Sequence, residues 1–190
     1  ILKSPITLYT LAMMLITSIY MAVNSNFWSV LVTQKIMIAD EDLAVFPFAR
    51  AVTQLIFFFT FLPFIRKLNF RNPIIIGLAG FILGQFLLII APQGAYWMVM
   101  LSVIIEAASA AAVNNQVDRM FAVNIDEAER ARVMSVMMMV MVGLTSPFTY
   151  IAGQLSEINR LLPFISNIFL MFAGRVVRSA RKTSIGKSSG

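Results

Sequence analysis

Six long apolar runs, near residues 5–32, 43–65, 73–91, 95–117, 133–153 and 161–174, take up most of the chain and are separated by short polar links. An α-helix needs about 20 such residues to cross the ~30 Å hydrocarbon core of a bilayer. Inside hydrocarbon a backbone amide has no water to bond, so each run must satisfy its N–H and C=O groups along its own helix. Hydrophobic residues make up 59% of the 190 and charged residues 13%, against roughly 45–50% and 25% in soluble domains. A soluble fold of this length would still expose roughly a third of its unfolded surface, too much for a chain this apolar. The sequence therefore predicts an all-α integral membrane protein with six transmembrane helices.

The placement of basic residues sets an expected topology. Twelve of the fifteen lysines and arginines, from Lys3 through the links at 66–71 and 119–132 to the C-terminal tail, fall on one side of this layout. Lys35 and Arg160 fall on the other, and Arg50 lies within a span. Positive charge is retained on the cytoplasmic face, so both termini are expected in the cytoplasm, with the plasma (inner) membrane as the location. The net charge of +6 then reads as a topology signal; the basic residues form no patch with interleaved aromatics, and no nucleic-acid partner is expected. Residues 1–177 are expected to form the bundle and 178–190 a basic, disordered cytoplasmic tail. The start at Ile1, without an initiator Met, suggests a piece of a longer protein.

Cysteine and histidine are both absent. That excludes disulfides, Cys/His zinc sites and any catalysis by an imidazole base or thiol nucleophile. No phosphate-cradling glycine loop, Gly-x-Ser-x-Gly elbow or pair of carboxylates at catalytic spacing occurs. No cofactor or metal is expected, and the chain does not read as an enzyme.

Several residues carry local expectations. Pro5 suits a first helical turn, and Asp40 is a candidate N-cap for the second span. The polar group Asn24-Ser25-Asn26 interrupts the outer part of the first run, beside Trp28. In the third span Gly80 and Gly84 form a small-xxx-small pair suited to close helix approach in lipid. Pro92-Gln93-Gly94 reads as a tight turn and residues 118–132 as a charged, partly helical link. Gly143 and Pro147 predict a bend in the fifth span.

Two charges fall deep inside spans: Arg50 in the second and Glu106 in the fourth. A charge at mid-bilayer costs at least ~2.5–3.5 kcal/mol on insertion scales, so such residues face protein or water and have partners. Gln54 lies one turn below Arg50 on the same face, and Asn114 lies to one side of the Glu106 meridian. One reading is a polar pathway for a substrate or proton, with Glu106 as the protonatable group. The other is a structural Arg50–Glu106 pair locking two helices; the two are compatible. Asn24, Asn26 and Trp28 are candidates for the outer mouth of such a pathway, and residues 114–116 for the inner mouth.

The layout resembles the C-terminal half of a major facilitator superfamily transporter over about residues 3–177. Three features carry the resemblance. Residues 26–28 (Asn-Phe-Trp) through Asp42 into 43–47 (Leu-Ala-Val-Phe-Pro) are similar to the end of the seventh helix and start of the eighth in some members. The basic turn at 66–71 (Arg-Lys-Leu-Asn-Phe-Arg) sits where the family repeats its Gly-x-x-x-Asp-Arg-x-Gly-Arg-Arg motif. Here Arg66 replaces the motif's Asp and Asn69 its second Gly, so the Asp-based gating contact does not carry over, while Lys67 and Arg71 keep the basic character. Residues 127–135 (Glu-Ala-Glu-Arg-Ala-Arg-Val-Met-Ser) resemble the acidic-then-arginine entry to the eleventh helix.

The resemblance implies two inverted three-helix repeats and a secondary transporter of small solutes working by alternating access. It makes Lys67, Arg71, Arg130 and Arg132 candidates for a cytoplasmic gate. Six helices would be half of such a transporter, so the expected partners are the lipid bilayer, a small-molecule substrate, and an N-terminal half or second chain. The alternative is a non-transporting membrane subunit of a larger complex. A channel or voltage sensor is disfavoured, since no span repeats Arg every third residue and no Thr-Val-Gly-Tyr-Gly filter occurs.

Overall fold

A computed structural model describes residues 5–61, 71–124 and 127–172. Five long helices run through it: α1 (Pro5–Gln34), α2 (Val45–Thr60), α3 (Arg71–Ile90), α4 (Tyr96–Asn124) and α5 (Glu127–Ile158). A shorter apolar helix, α6 (Leu162–Phe172), follows. The described residues contain no strand. The five long helices, α2 taken together with the 3-10 turn at Asp40–Ala44 that leads into it, are each long and apolar enough to cross a membrane, and the architecture is that of an all-helical, multi-pass membrane protein.

The structure refines several local expectations. The group Asn24-Ser25-Asn26 does not interrupt α1, because Ser25 Oγ and Asn26 Nδ2 both donate to the Ala22 carbonyl of the preceding turn (3.1 and 2.7 Å) and leave the helical ladder intact. Asp40 is not an N-cap: it opens a short 3-10 turn (Asp40–Ala44) preceded by Ala39, which makes no side-chain cap. The charged link at 118–132 is almost entirely absorbed by the ends of α4 and α5. At 1.5 Å rise per residue their 29 and 32 residues reach roughly 44–48 Å, longer than the hydrocarbon core, and polar helix ends can continue into the interface. α5 runs as a helix through Gly143 and Pro147, with the proline inside it, which is compatible with the expected bend. The basic turn at 66–70 and the tail from 173 lie outside the described residues.

Other expectations agree with the structure. Pro92-Gln93-Gly94 is a tight turn, with Gly94 at φ 73°, a left-handed conformation open to a residue without Cβ. Its N–H donates to the Ile36 carbonyl at 2.7 Å, tying the loop after α3 to the loop after α1. Lys35 reinforces this end of the bundle by donating its ammonium to the Ile89 carbonyl in the last turn of α3, where a cation meets the negative end of the helix dipole. Partial burial holds that ammonium's pKa below the usual lysine range.

α3 and α4 pack most intimately, and glycine is the reason. A Cβ on Gly77 would meet Val113, one on Gly80 would meet the Ser109 hydroxyl, and one on Gly84 would lie 2.5 Å from Glu106 Cγ and 3.3 Å from the Ser102 carbonyl. The predicted Gly80/Gly84 pair is thus part of a three-glycine face set against 102-106-109-113 of α4. Ser102 Oγ donates across it to the Gly84 carbonyl at 2.8 Å. α4 also packs on α1 and α2, while α5 packs on α1.

Two apolar clusters lie at different depths of the bundle. One gathers Leu31, Phe46, Leu88, Val103 and Phe164; the other gathers Tyr20, Phe81, Ala110 and Met171. Between these clusters α1, α3 and α4 each place a buried polar side chain: Asn24, Gln85 and Glu106.

Thermal unfolding in detergent checks the packing. Gly84→Ala is expected to lose roughly 1–3 kcal/mol by overpacking. Gly143→Ala, whose Cβ meets nothing within 4 Å, is expected to gain up to ~1 kcal/mol of helix propensity. Equal behaviour of the two variants would contradict the close α3–α4 approach.

Candidate functional site

A carboxylate deep in a membrane bundle needs donors, and three helices besides its own supply them. Glu106 is 3% exposed. Asn24 Nδ2 of α1 donates to its Oε2 at 2.9 Å, and Gln85 Nε2 of α3 donates to its Oε1 at 3.0 Å. Arg50 of α2 approaches Oε2 at 3.7 Å. The Tyr20 hydroxyl of α1 lies against the same carboxylate. Gln85 Nε2 is also 3.0 Å from Asn24 Oδ1 and 3.3 Å from the Tyr20 hydroxyl. Two amide hydrogens therefore serve three acceptors, while Gln85 Oε1 is buried with no partner.

The elements fix this arrangement. Gly84 lets the α3 backbone come against Glu106, and that approach carries the adjacent Gln85 within reach of the carboxylate. Tyr20 is held by the ring of Phe81, 4.3 Å between centroids. Asn24, Arg50, Gln85 and Glu106 all lie well inside the candidate spans of their helices. In low dielectric a satisfied polar network is strong and an unsatisfied one costly.

Arg50 differs from its neighbours. Its side chain is 33% exposed, and Glu106 is its only ion-pair partner among the described residues, at a separation too long for a hydrogen bond. It borders a pocket of about 200 Å³ lined also by Asn24, Ser25, Trp28, Phe46, Pro47 and Val103. Trp28 packs edge-on against Phe46 at 5.3 Å, and its indole N–H is buried without an acceptor. A roomier pocket of about 520 Å³ lies between α1 and α5, lined by Ser18, Met138, Met141, Thr145, Thr149 and Tyr150 among others. It holds no charged side chain, and the Ser146 and Thr149 hydroxyls there are bonded to their own helix. The charged centre is therefore the stronger candidate.

The residues singled out from the sequence divide clearly. Arg50, Glu106 and Asn24 come together. Asn24 is not at an outer mouth but at the centre, because α1 continues unbroken beyond it to Gln34. Trp28 lines the small pocket. Asn26 is exposed and bonded to its own helix, Gln54 is half-buried on α2, and Asn114 is exposed. Gln116, expected at an inner mouth, is fully buried, with neither amide atom partnered. Of the gate candidates, Arg71 and Arg130 stand in the first turns of α3 and α5, Arg132 is exposed on α5, and Lys67 lies outside the described residues.

Gln85 and Tyr20 were missed. Gln85 had a usable signal: it is an amide inside an otherwise apolar run, and the reasoning applied to Glu106 holds for it at lower cost. Tyr20 had none, since tyrosine is common at membrane interfaces.

A double-mutant cycle tests the pair. Glu106→Leu alone strands Arg50, and Arg50→Leu alone strands Glu106; each is expected to cost roughly 1–3 kcal/mol in thermal unfolding. The double substitution should recover most of that loss. Additive losses would show that the two charges do not interact. No family model and no curated protein matches this chain in sequence.

Proposed function

We propose that the bundle is half of a secondary transporter for small solutes, with Glu106 as its protonatable group and Arg50 at the edge of the translocation pathway. The observation that carries this reading is the partly exposed, mid-span Arg50 beside a buried carboxylate and a pocket. A charge at that depth does not face lipid, so the open side of Arg50 faces water or another protein element.

Magnitudes favour function over simple bracing. Interhelical hydrogen bonds in membranes contribute about 0.6 kcal/mol on average, whereas each intramembrane charge costs ~2.5–3.5 kcal/mol or more. Apolar side chains would brace four helices at lower cost. A carboxylate that can gain or lose a proton instead provides two states of different burial energy, which a moving bundle can exploit.

In this reading the helices form two inverted three-helix repeats, as in the major facilitator superfamily. Spans 4–6 then enter from the side opposite to spans 1–3, and both termini are cytoplasmic. An N-terminal half or a second chain completes the pathway, and alternating access arises as one bundle rocks against the other. The membrane is the plasma (inner) membrane.

Two experiments test it. The chain has no cysteine, so single introduced cysteines report topology with an impermeant maleimide. Asn69→Cys and Ala128→Cys should label from the same face and Asn159→Cys from the other; labelling of 69 and 128 from opposite faces would refute the layout. In cells expressing the full-length protein, comparison of internal and external solutes between pH 6 and 8 should show pH-dependent movement. Glu106→Gln should flatten that dependence, and an unchanged pH profile would reject its role as the proton carrier.

A further inference from the structure

The small pocket beside Arg50 carries information on what kind of solute it accepts. Its unused hydrogen-bonding capacity is on the donor side. Arg50 has five N–H donors and makes no hydrogen bond among the described residues, only the 3.7 Å ion pair. The Trp28 indole lines the same pocket, with its N–H buried. Of the acceptors nearby, Glu106 Oε1 and Oε2 receive Gln85 and Asn24, and Asn24 Oδ1 receives Gln85; the unpartnered Gln85 Oε1 belongs to a residue that does not line the pocket. Phe46, Pro47 and Val103 supply apolar wall. A guanidinium with free donors and an aromatic wall suit a planar carboxylate carried on a small apolar body.

Charge balance then links that anion to a proton. Glu106 is faced by Tyr20 and Asn24 from α1, Arg50 from α2 and Gln85 from α3. With Glu106 ionised, the pair with Arg50 is neutral, and an added anion would leave one uncompensated negative charge in low dielectric. With Glu106 protonated, Arg50 has lost its counter-ion, and an anion restores neutrality. Each of the two ligands therefore favours the other, and such coupling is reciprocal.

We propose that this pocket binds a small organic anion, its carboxylate on Arg50 and its apolar body against Trp28, Phe46, Pro47 and Val103, together with one proton taken up by Glu106. The assignment rests on the transporter reading for its purpose, but binding is measurable without transport.

Radiolabelled benzoate binding to the full-length protein in lipid nanodiscs tests it. Saturable binding should weaken as pH rises from 5.5 to 8.5, approaching tenfold per unit where one proton is taken up with the anion. Unlabelled benzoate should compete, while benzyl alcohol and benzylammonium should not. Arg50→Gln should weaken binding roughly 10- to 100-fold, with Arg50→Lys retaining part of it and showing that the fold survives. Glu106→Gln should bind benzoate with little pH dependence. Absent saturable binding, preference for benzylammonium, or pH-independent binding in the unmodified protein would each overturn the proposal. Benzoate binding as described, in a protein that moves no solute, would support the pocket while counting against the transporter reading.

Discussion

The close approach of α3 and α4 governs the centre of this bundle. Gly77, Gly80 and Gly84 remove the side chains that would hold the two backbones apart, and the face of α4 opposite them carries Ser102, Glu106, Ser109 and Val113. Helices in lipid associate without a hydrophobic driving force between them, so close packing and polar contacts decide which pairs form. Here one interface supplies both. The Ser102–Gly84 hydrogen bond lies in the same seam as Glu106, and Gln85 follows directly from Gly84 in α3.

From that seam the polar layer extends sideways. Asn24 reaches in from α1 and Arg50 from α2, so four helices converge on one carboxylate. Apolar clusters at two depths flank the layer. The cohesion of such a layer depends on the charge of one residue, since a proton on Glu106 would change which neighbours are satisfied. α2 and α5 are the least buried of the long helices, and α2 brings the one partly exposed charge of the site. The geometry concentrates chemical sensitivity where α2 meets α4.

Much of the helical layout was legible because the constraint behind it is local. Apolar runs of bilayer length have one way to satisfy their amides, and Pro92-Gln93-Gly94 ends a helix through its own backbone. Boundaries were less legible. Polar residues at 118–132 suggested a link, yet a helix that leaves the hydrocarbon need not stop there, and α4 and α5 occupy nearly all of that segment. The same bias toward reading polarity as an end misplaced Asn24, since one asparagine inside a helix can face the bundle while Asn26, two residues on, folds back on its own turn.

Composition and periodicity by themselves determined that the chain is helical and suited to a membrane, and that Arg50 and Glu106 need partners, because insertion energies depend only on residue type and depth. Which partners they find was decided by tertiary structure. Helix rotation and the glycine-permitted approach of α3 selected Gln85 and Asn24 for the carboxylate, left Asn114 exposed, and set Arg50 against an aromatic pocket. Those are relations between helices distant in sequence, and no local pattern encodes the angle at which one helix faces another.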